Sequence, residues 1–556
     1  MVDGDHGRMK WWGWGSEERR VELPPQAKSR LRALLSAEER TAPPVALEAV
    51  RLAEPRLSGD VREGLSSAVG SNSVRTDRLT RVQHAAGKSY PDLIRIRAGN
   101  AEDAPDAVVY PETADQVRAV LQLCGEEGIA VVPFGGGTSV VGGVDPIRGR
   151  FDSVIALDLA RMSGVTAVDE RSLTVELEPG LRGPQVEASL DRWNLTLGHF
   201  PQSFEYATLG GWVATRSAGQ ASTGYGKIEE MVVGVRCVTP AGDLDSKPFP
   251  ATAAGPQLRD LLVGSEGVLG VITGATLKVR PRPPTRRYEA WMFKGFAEGA
   301  DAFRRLEQDE ATPDVARLSD EVETLVSLEM AGSQSVAQRA GRRYLKIRGY
   351  SGGCLAIIGF EGERGSVLRR RAQVARFLRS GGAVSIGSRP GRAWERGRFE
   401  APYLRDALLD NCIMVETLET AAPWSRLMDL YTSVREAIRR TLEARGTPPL
   451  VMCHISHLYR NGASLYFTFM AAQEHGGELE QWRVAKSAAC DAIVGAGGTI
   501  THHHAVGFDH APWLEKEIGR LGIDLLHSAK QTLDPSGIMN PGKLLPVGAS
   551  QGGPRG

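Results

Sequence analysis

Apolar positions set the first division of the chain. In the first hundred residues they recur at helical spacing, in LEAVRLA and in the stretch before Gly70, which predicts a helical and loop-linked segment over 1–100. From residue 101 the period shortens. The runs AVVYP, AVVPF, SVIAL, LTVELEPG and MVVGVRCVTPAG alternate with turn residues and read as strands. One clear helix interrupts them. Thr113 and Gln116 form a capping box, Val117, Val120, Leu121 and Cys124 form the stripe, and Gly128 suits the stop. At Val279-Arg280-Pro281-Arg282-Pro283-Pro284 the prolines end the last strand.

Past that boundary, WMFKGF, CLAIIGF and ASLYFTFM alternate with helices predicted at 365–379 and 424–445. The pattern predicts an α+β domain over 101–281 and a second over 282–500. A tail over 501–548 reads as a helix plus a loop through Asp534-Pro535 and Asn540-Pro541. The final GASQGGPRG is predicted to be disordered.

Composition narrows the function classes. Lys and Arg number 67 and so do Asp and Glu, so nothing in the charge favours a nucleic-acid partner. Six scattered cysteines without a CxxC pair read as reduced and intracellular. The start, MVDGDHGRMKWWGWG, has no apolar signal core, and no apolar run reaches the roughly 18 residues of a membrane span. The end, GGPRG, is not a peroxisomal address. A cytoplasmic protein is expected.

The candidate chemistry begins at PFGGGTSVVGG (133–143). Successive glycines let backbone N–H groups converge on an anion. The loop is neither GxGxxG, since Val140 replaces the third glycine, nor GxxxxGK[S/T], since Gly143 and Val144 follow Gly142. Alone it is equally a glycine-rich hairpin. Three companions follow it: PQSFEYATLGGWVATRSAGQASTGYG (201–226), with small residues suited to a narrow planar cavity, the hairpin VVGVRCVTPAGD, and GSEGVLGVIT (264–273).

A second candidate is GTITHHHAVG (498–507). Strands turn neighbouring side chains to opposite faces and helices rotate them by about 100°, so three adjacent histidines chelate one ion poorly from a regular element. The remaining readings are a structural loop and an active-site segment that hydrogen-bonds an anion or moves protons.

The order PFGGGTSV, TLGGWVATRSAG, GSEGVLGVIT resembles the flavin-binding domain shared by p-cresol methylhydroxylase and vanillyl-alcohol oxidase. MKWWGWG, RVQHAAGKSYPDLIRIR, the PW of ETAAPW and THHHAVG are similar to the alkyldihydroxyacetonephosphate synthase family, over roughly residues 9 to 545. The resemblance implies a two-domain α+β FAD-binding fold of the p-cresol methylhydroxylase type, with an α+β cap and helical N- and C-terminal segments. It implies FAD bound without a covalent link by Pro133, Phe134, Gly135, Gly136, Gly137, Thr138 and Ser139, and by His199, Gln202, Ser203, Phe204, Glu205, Tyr206, Ala207 and Thr208. Thr215, Arg216, Ser217, Ala218, Glu266, Gly267, Val268, Leu269, Gly270, Val271 and Ile272 complete the set.

The same resemblance implies a redox-neutral exchange, with FAD as a covalent platform, of the acyl chain of 1-acyl-dihydroxyacetone phosphate for a fatty alcohol. Tyr466 in ASLYFTF would be the acid/base, its pKa brought below about 10 by nearby cations. Arg405 in PYLRD and the triplet His502, His503 and His504 would hold anionic groups, and Arg317 in PDVARLSD would stand beside the substrate. By their residue types alone, Arg405 is also a surface ion-pair residue, Tyr466 a core aromatic and His199 a turn histidine. A homodimer and a peripheral membrane contact are expected.

Two departures matter. Phe200 and Gln202 stand where the family has acidic residues. Related FAD-linked 2-hydroxy-acid dehydrogenases carry Glu-His-Gly in place of the triplet and bind a metal through two histidines flanking Gly-Asp-Gly-Asn. Here His454 matches the first, nothing follows near 461–463, and His457 has the wrong separation, so no metal is expected. A hydroxy-acid dehydrogenase or oxidase is the second reading, and a flavin-binding scaffold without chemistry the third.

Overall fold

The computed structural model describes residues 9–330, 345, 347–350 and 352–545. The terminal run GASQGGPRG, expected to be disordered, lies outside them. The chain forms two α+β domains flanked by helical segments.

The N-terminal segment includes α1 (Pro25–Leu35), α2 (Gly59–Val69) and α3 (Tyr90–Arg97). LEAVRLA, expected to be helical, makes only a 3-10 turn at Leu47–Ala49 and then a bridge from Arg51 to Asn100. Apolar spacing there serves docking of Leu47, Val50 and Leu52 against Val82 and Ile96, not a helix stripe.

The first domain opens with β1 (Ala107–Val109), α4 (Ala114–Glu127), β2 (Ile129–Phe134) and β3 (Ser153–Asp158). Thr113 caps α4 as its sequence predicts, accepting from Gln116 N, but the Gln116 side chain reaches the Glu112 amide instead of closing the box. β1, β3 and β2 are parallel neighbours, and the α4 stripe packs on them with Leu65 of α2. A second, antiparallel sheet runs β4 (Val165–Asp169), β5 (Thr174–Leu177), β8 (Val271–Lys278), β6 (Val232–Thr239), β7 (Gly242–Ser246). The helices between its strands include Gly183–Asp191 and α5 (Leu209–Thr215).

The second domain is built on an eight-stranded antiparallel sheet. Its strands are β9 (Thr285–Phe293), β10 (Val315–Ser319), β11 (Cys354–Gly362), β12 (Val384–Gly387), β13 (Ile413–Pro423), β14 (Leu450–Ile455) and β15 (Gly462–Ala472). They run β12-β9-β11-β10-β14-β15-β13, and the short strand Leu458–Tyr459 pairs with β15. α6 (Arg364–Ser380), α8 (Leu427–Ala444) and α9 (Glu478–Gly495) cover one face. Leu418, Ile455, Leu465, Phe467 and Phe469 point into that core. Burying each stabilises the sheet by about 1.5–3 kcal/mol. The opposite face carries the polar residues of the same strands and looks toward the first domain.

Two segments fasten the halves together. Trp14 N donates to the Asp406 carboxylate (2.9 Å) on α7 (Ala401–Asp410), and Lys10 pairs with it at 2.9 Å. A Cβ on Gly13 would stand 2.3 Å from that carboxylate, so the glycine permits the close approach. At the other end, α10 (Ala511–Leu533) leads to residues 538–540, which add to the edge of β2 through Val131 N to Ile538 O and Asn540 N to Val131 O, both 2.8 Å. Among the described residues, no helix is long and apolar enough to cross a membrane.

Candidate active site

Directly opposed residues in an antiparallel sheet share a face. Ser319 lies opposite His454, His454 opposite Tyr466, and Tyr466 opposite Glu419. One polar row therefore crosses four adjacent strands, β10, β14, β15 and β13. Alternation places Arg317 on the same face as Ser319. The Arg317 guanidinium donates to Glu323 (2.5 Å) and lies 3.1 Å from His454 Nδ1. The His454 ring stacks on Tyr466 with centroids 4.8 Å apart.

The triplet covers this row. Glu419, 1% exposed, accepts the amide N–H groups of His502 (2.5 Å), His503 (2.9 Å) and His504 (2.6 Å), and the Thr501 hydroxyl (2.8 Å). Consecutive amides converge on one carboxylate because 501–504 is a loop that curls around it, forming a nest. The rings of His503 and His504 then reach Tyr466, at 6.1 and 5.5 Å between centroids. The far side of the loop is held from the first domain. Glu266, at φ 52°, accepts from Val506 N (2.8 Å) and Gly507 N (2.6 Å).

Burial and charge set the protonation states. Burial pushes Glu419 upward, but the three imidazoles and the His503 amide outweigh it and hold the carboxyl well below its usual range. Burial lowers His502, His503 and His504, the last to about 3, so all three are neutral near pH 7. Tyr466 departs from expectation. Burial raises it to about 12, reinforced by Glu419 and Glu416, and these outweigh the Thr417 hydrogen bond and the Arg317 cation.

Arg405, on α7, is half-buried beside this face. Its Nη1 donates to Lys88 O (2.6 Å), and its Nε has no partner among the described residues. Burial lowers its pKa, and Asp406, Glu416 and Tyr466 oppose that shift, so guanidinium and phenol act on one another. The buried Lys88 ammonium, brought down to about 8 by burial, donates to Lys10 O at 3.1 Å.

The glycine loop follows β2. A Cβ on Gly135 would lie 2.3 Å from Thr208 Oγ1, and one on Gly136 would lie 2.0 Å from Tyr206 O. Gly137 takes φ 65°. Among the described residues, no protein group accepts the amides of Gly136, Gly137 or Thr138. Ser139 fixes the exit, its hydroxyl accepting from Gly143 N (2.9 Å) and its carbonyl from Lys88 N (2.6 Å). His199 Nε2 meets Ser217 Oγ at 3.1 Å, and its buried Nδ1 has no partner among the described residues. A cradle of free amides with a buried, half-satisfied imidazole fits a bound dinucleotide with its diphosphate and ring.

The remaining candidates divide. Pro133 and Phe134 end β2, Val271 and Ile272 open β8, and Gly267 and Gly270 pack against Pro133 and Val238. Ala207, Ala218, Val268 and Leu269 are buried. Ser203 O closes a turn onto Tyr206 and Ala207. Thr208 caps α5, Thr215 bonds back to Gly211 O, and Arg216 pairs with Glu229 (3.6 Å). Others turn away from the glycine loop. Gln202 donates to Arg398 O (2.7 Å), Phe204 stacks on Phe399 (5.2 Å), and Glu205 pairs with Arg19 and accepts the Tyr403 hydroxyl (2.9 Å). Tyr206 packs edge-on against Trp14. These four join the first domain to the cap and to the N-terminal segment.

Sequence reading did not single out Glu419, Glu323, Lys227 or Tyr459, and it set His457 aside for its separation from His454. Lys227 Nζ donates to His502 O (3.0 Å), and His457 stacks on His502 with centroids 4.9 Å apart. Ligand atoms of His457, His502 and His503 lie within 4.8 Å of one another, as do those of Glu419, His503 and His504. The argument that adjacent histidines diverge applies to helices and strands, and this segment is neither.

Comparison with known proteins adds to the geometry. Residues 105–245 match the family model described as FAD binding domain, and residues 282–544 match FAD linked oxidases, C-terminal domain. Alkyldihydroxyacetonephosphate synthase of Dictyostelium discoideum is 35% identical over 513 residues, covering 91% of this chain and 84% of that protein. A solved alkyldihydroxyacetonephosphate synthase structure superposes at TM-score 0.82 and 31% identity, over 96% of this chain and 99% of its own. Substrate-bound p-cresol methylhydroxylase shares the fold, with TM-score 0.66 and 15% identity over 89% and 98% of the two chains.

Proposed function

The chain belongs to the alkyldihydroxyacetonephosphate synthase family, and from that premise we propose that it exchanges the acyl chain of a 1-acyl-dihydroxyacetone phosphate for a fatty alcohol. The product is the 1-alkyl ether, and no external oxidant is consumed. The observation that supports this reading most is the polar row ending at Tyr466 and Glu419, roofed by a loop whose imidazoles are neutral. Residues 101–281 would hold FAD without a covalent link, and 282–500 would cap it. When bound, FAD supplies an electron-poor ring that takes up and returns an electron pair at one substrate carbon.

The chain's own residues supply position and proton transfer. Tyr466 Oη takes a proton from the substrate carbon and later returns it. Arg405 and Arg317 hold the phosphate, and Arg317 favours the phenolate without overcoming the burial that raises Tyr466. Neutral His503 and His504 donate to the developing charge on the leaving carboxylate without demanding a counter-ion. Closure of the loop over the row excludes water. We further propose a homodimer with peripheral membrane contact, since both substrates are amphipathic.

The test uses FAD-loaded protein, 1-acyl-dihydroxyacetone phosphate and labelled hexadecanol. Labelled ether and free fatty acid should form in equal amounts with no acceptor reduced. Absence of ether, with acceptor reduction by a 2-hydroxy acid, would replace this reading with the dehydrogenase. Heat denaturation should release the FAD into solution, and chromatography with light scattering should give twice the chain mass.

A further inference from the structure

Tyr459 lies outside the residues assigned above, yet it touches the triplet. It sits on the short strand Leu458–Tyr459 beside β15, and Trp424 Nε1 donates to its carbonyl at 3.1 Å. Its hydroxyl is 2.5 Å from His502 Nε2. His502 Nδ1 is 2.9 Å from His503 Nδ1. The His503 ring lies nearly parallel to Tyr466, with 21° between planes. At the outer end, Tyr459 lines a cavity of about 460 Å³ between the two domains, with Ser222, Thr223, Lys278, Arg280 and Arg460.

These contacts admit two proton arrangements. In one, Tyr459 O–H donates to His502 Nε2, His502 Nδ1–H donates to His503 Nδ1, and His503 carries its proton on Nε2. In the other every donor and acceptor is reversed, and the Tyr459 proton faces the cavity. One proton taken up at His503 Nε2, one moved along each link and one released from Tyr459 O convert the second arrangement into the first with no change of net charge. Glu419 lies 4.0 and 3.5 Å from the two Nδ1 atoms and stabilises a transient imidazolium. His457, held by Ser222 Oγ at 2.5 Å, stacks on His502 and fixes its plane.

The geometry points to a proton relay, Tyr459–His502–His503, that connects the reaction centre at Tyr466 to solvent in this cavity. Its use rests on the exchange proposed above. Ester plus alcohol gives ether plus carboxylic acid, and the acid ionises near neutral pH, so each turnover releases one proton from a buried site. That proton is taken by His503 Nε2 as His503 Nδ1–H passes to His502 Nδ1. His502 Nε2–H then passes to Tyr459 O, whose own proton leaves to cavity water.

Tyr459→Phe removes one hydroxyl and keeps the ring. Turnover should fall about 100-fold, the lower end of the range for single proton-transfer groups, with KM unchanged and a larger D2O effect on kcat. In 15N-histidine-labelled protein, the unaltered chain should show a low-field proton shared between His502 and His503 Nδ1, and the variant should shift the His502 Nε2 resonance. Unaltered turnover with an unaltered D2O effect in the variant, or no shared Nδ1 proton in the parent, would overturn the relay. Should the variant fail to fold, the parent spectrum decides. Should the parent make no ether, the exchange reading falls while the spectrum still judges the hydrogen-bonded chain.

Discussion

The two walls of the site are built on opposite plans. The wall from the first domain works by leaving side chains out. At Gly135 and Gly136 a single Cβ would collide with Thr208 or Tyr206, and the amides of Gly136, Gly137 and Thr138 have no acceptor among the described residues. The cap wall works by side chains standing on one face of a sheet, each fixed by its cross-strand neighbour. The two meet at the loop after Thr501, where each contributes a buried carboxylate. Glu419 grips the amides of His502–His504 and stays ionised, whereas burial raises Glu266, gripping Val506 and Gly507, to about 7. The difference follows from company: Glu419 has three imidazoles beside it, and Glu266 has two amides and the weaker pull of Lys543.

If the cap wall carries the proton chemistry, Tyr466→Phe should lower the exchange rate by about 10³-fold while flavin content and absorbance stay as they were. Substantial residual turnover would move the chemistry to the other wall. Glu419→Gln keeps the shape but places an amide N–H against the backbone donors. We expect about 100-fold less activity and a loss of about 3 kcal/mol in urea denaturation, from several buried donors losing a charged acceptor. Gly136→Ala should act on the other wall only. Flavin per protein, read from the 450 to 280 nm absorbance ratio, should fall about tenfold, with turnover per bound flavin retained. A variant that keeps its flavin would break the contrast.

The smallest effect concerns pH. Glu266 binds its proton more tightly folded than unfolded, so its contribution to stability is fully present below about 4.5 and is lost as pH rises through about 7. Glu419 is opposite, contributing above about 4.5 and losing that contribution only as pH falls. Subtracting the stability profile of Glu266→Gln from that of the parent should therefore leave a downward slope between pH 5 and 8. A flat difference would mean that Glu266 is ionised throughout.

The two plans also explain what was legible in the chain. The glycine cradle is contiguous, so PFGGGTSV displays it in one line. Tyr466 was partly legible, because Leu465, Phe467 and Phe469 alternate with Ser464, Tyr466 and Thr468, the pattern of a strand with one polar face. Glu419 was not, although it begins the quoted run ETAAPW. An acidic residue in a strand reads as solvent-facing, and only its neighbours on β15 and in the triplet loop show that it is buried. Tyr459 gave no signal, since its meaning depends on an imidazole 43 positions away. LEAVRLA misled because helical spacing also suits an irregular segment docked on one side.

Local covalent chemistry settled what the sequence could settle: where glycine must stand, which strands have an apolar face, which family the chain resembles. Register settled the rest. Sliding β15 by one residue against β13 would turn Tyr466 into the core and separate it from Glu419, and no short-range feature of either strand forbids that. The packing of α8 and α9 against Leu465, Phe467 and Phe469 fixes the register, so the core on one face of the sheet determines the chemistry on the other.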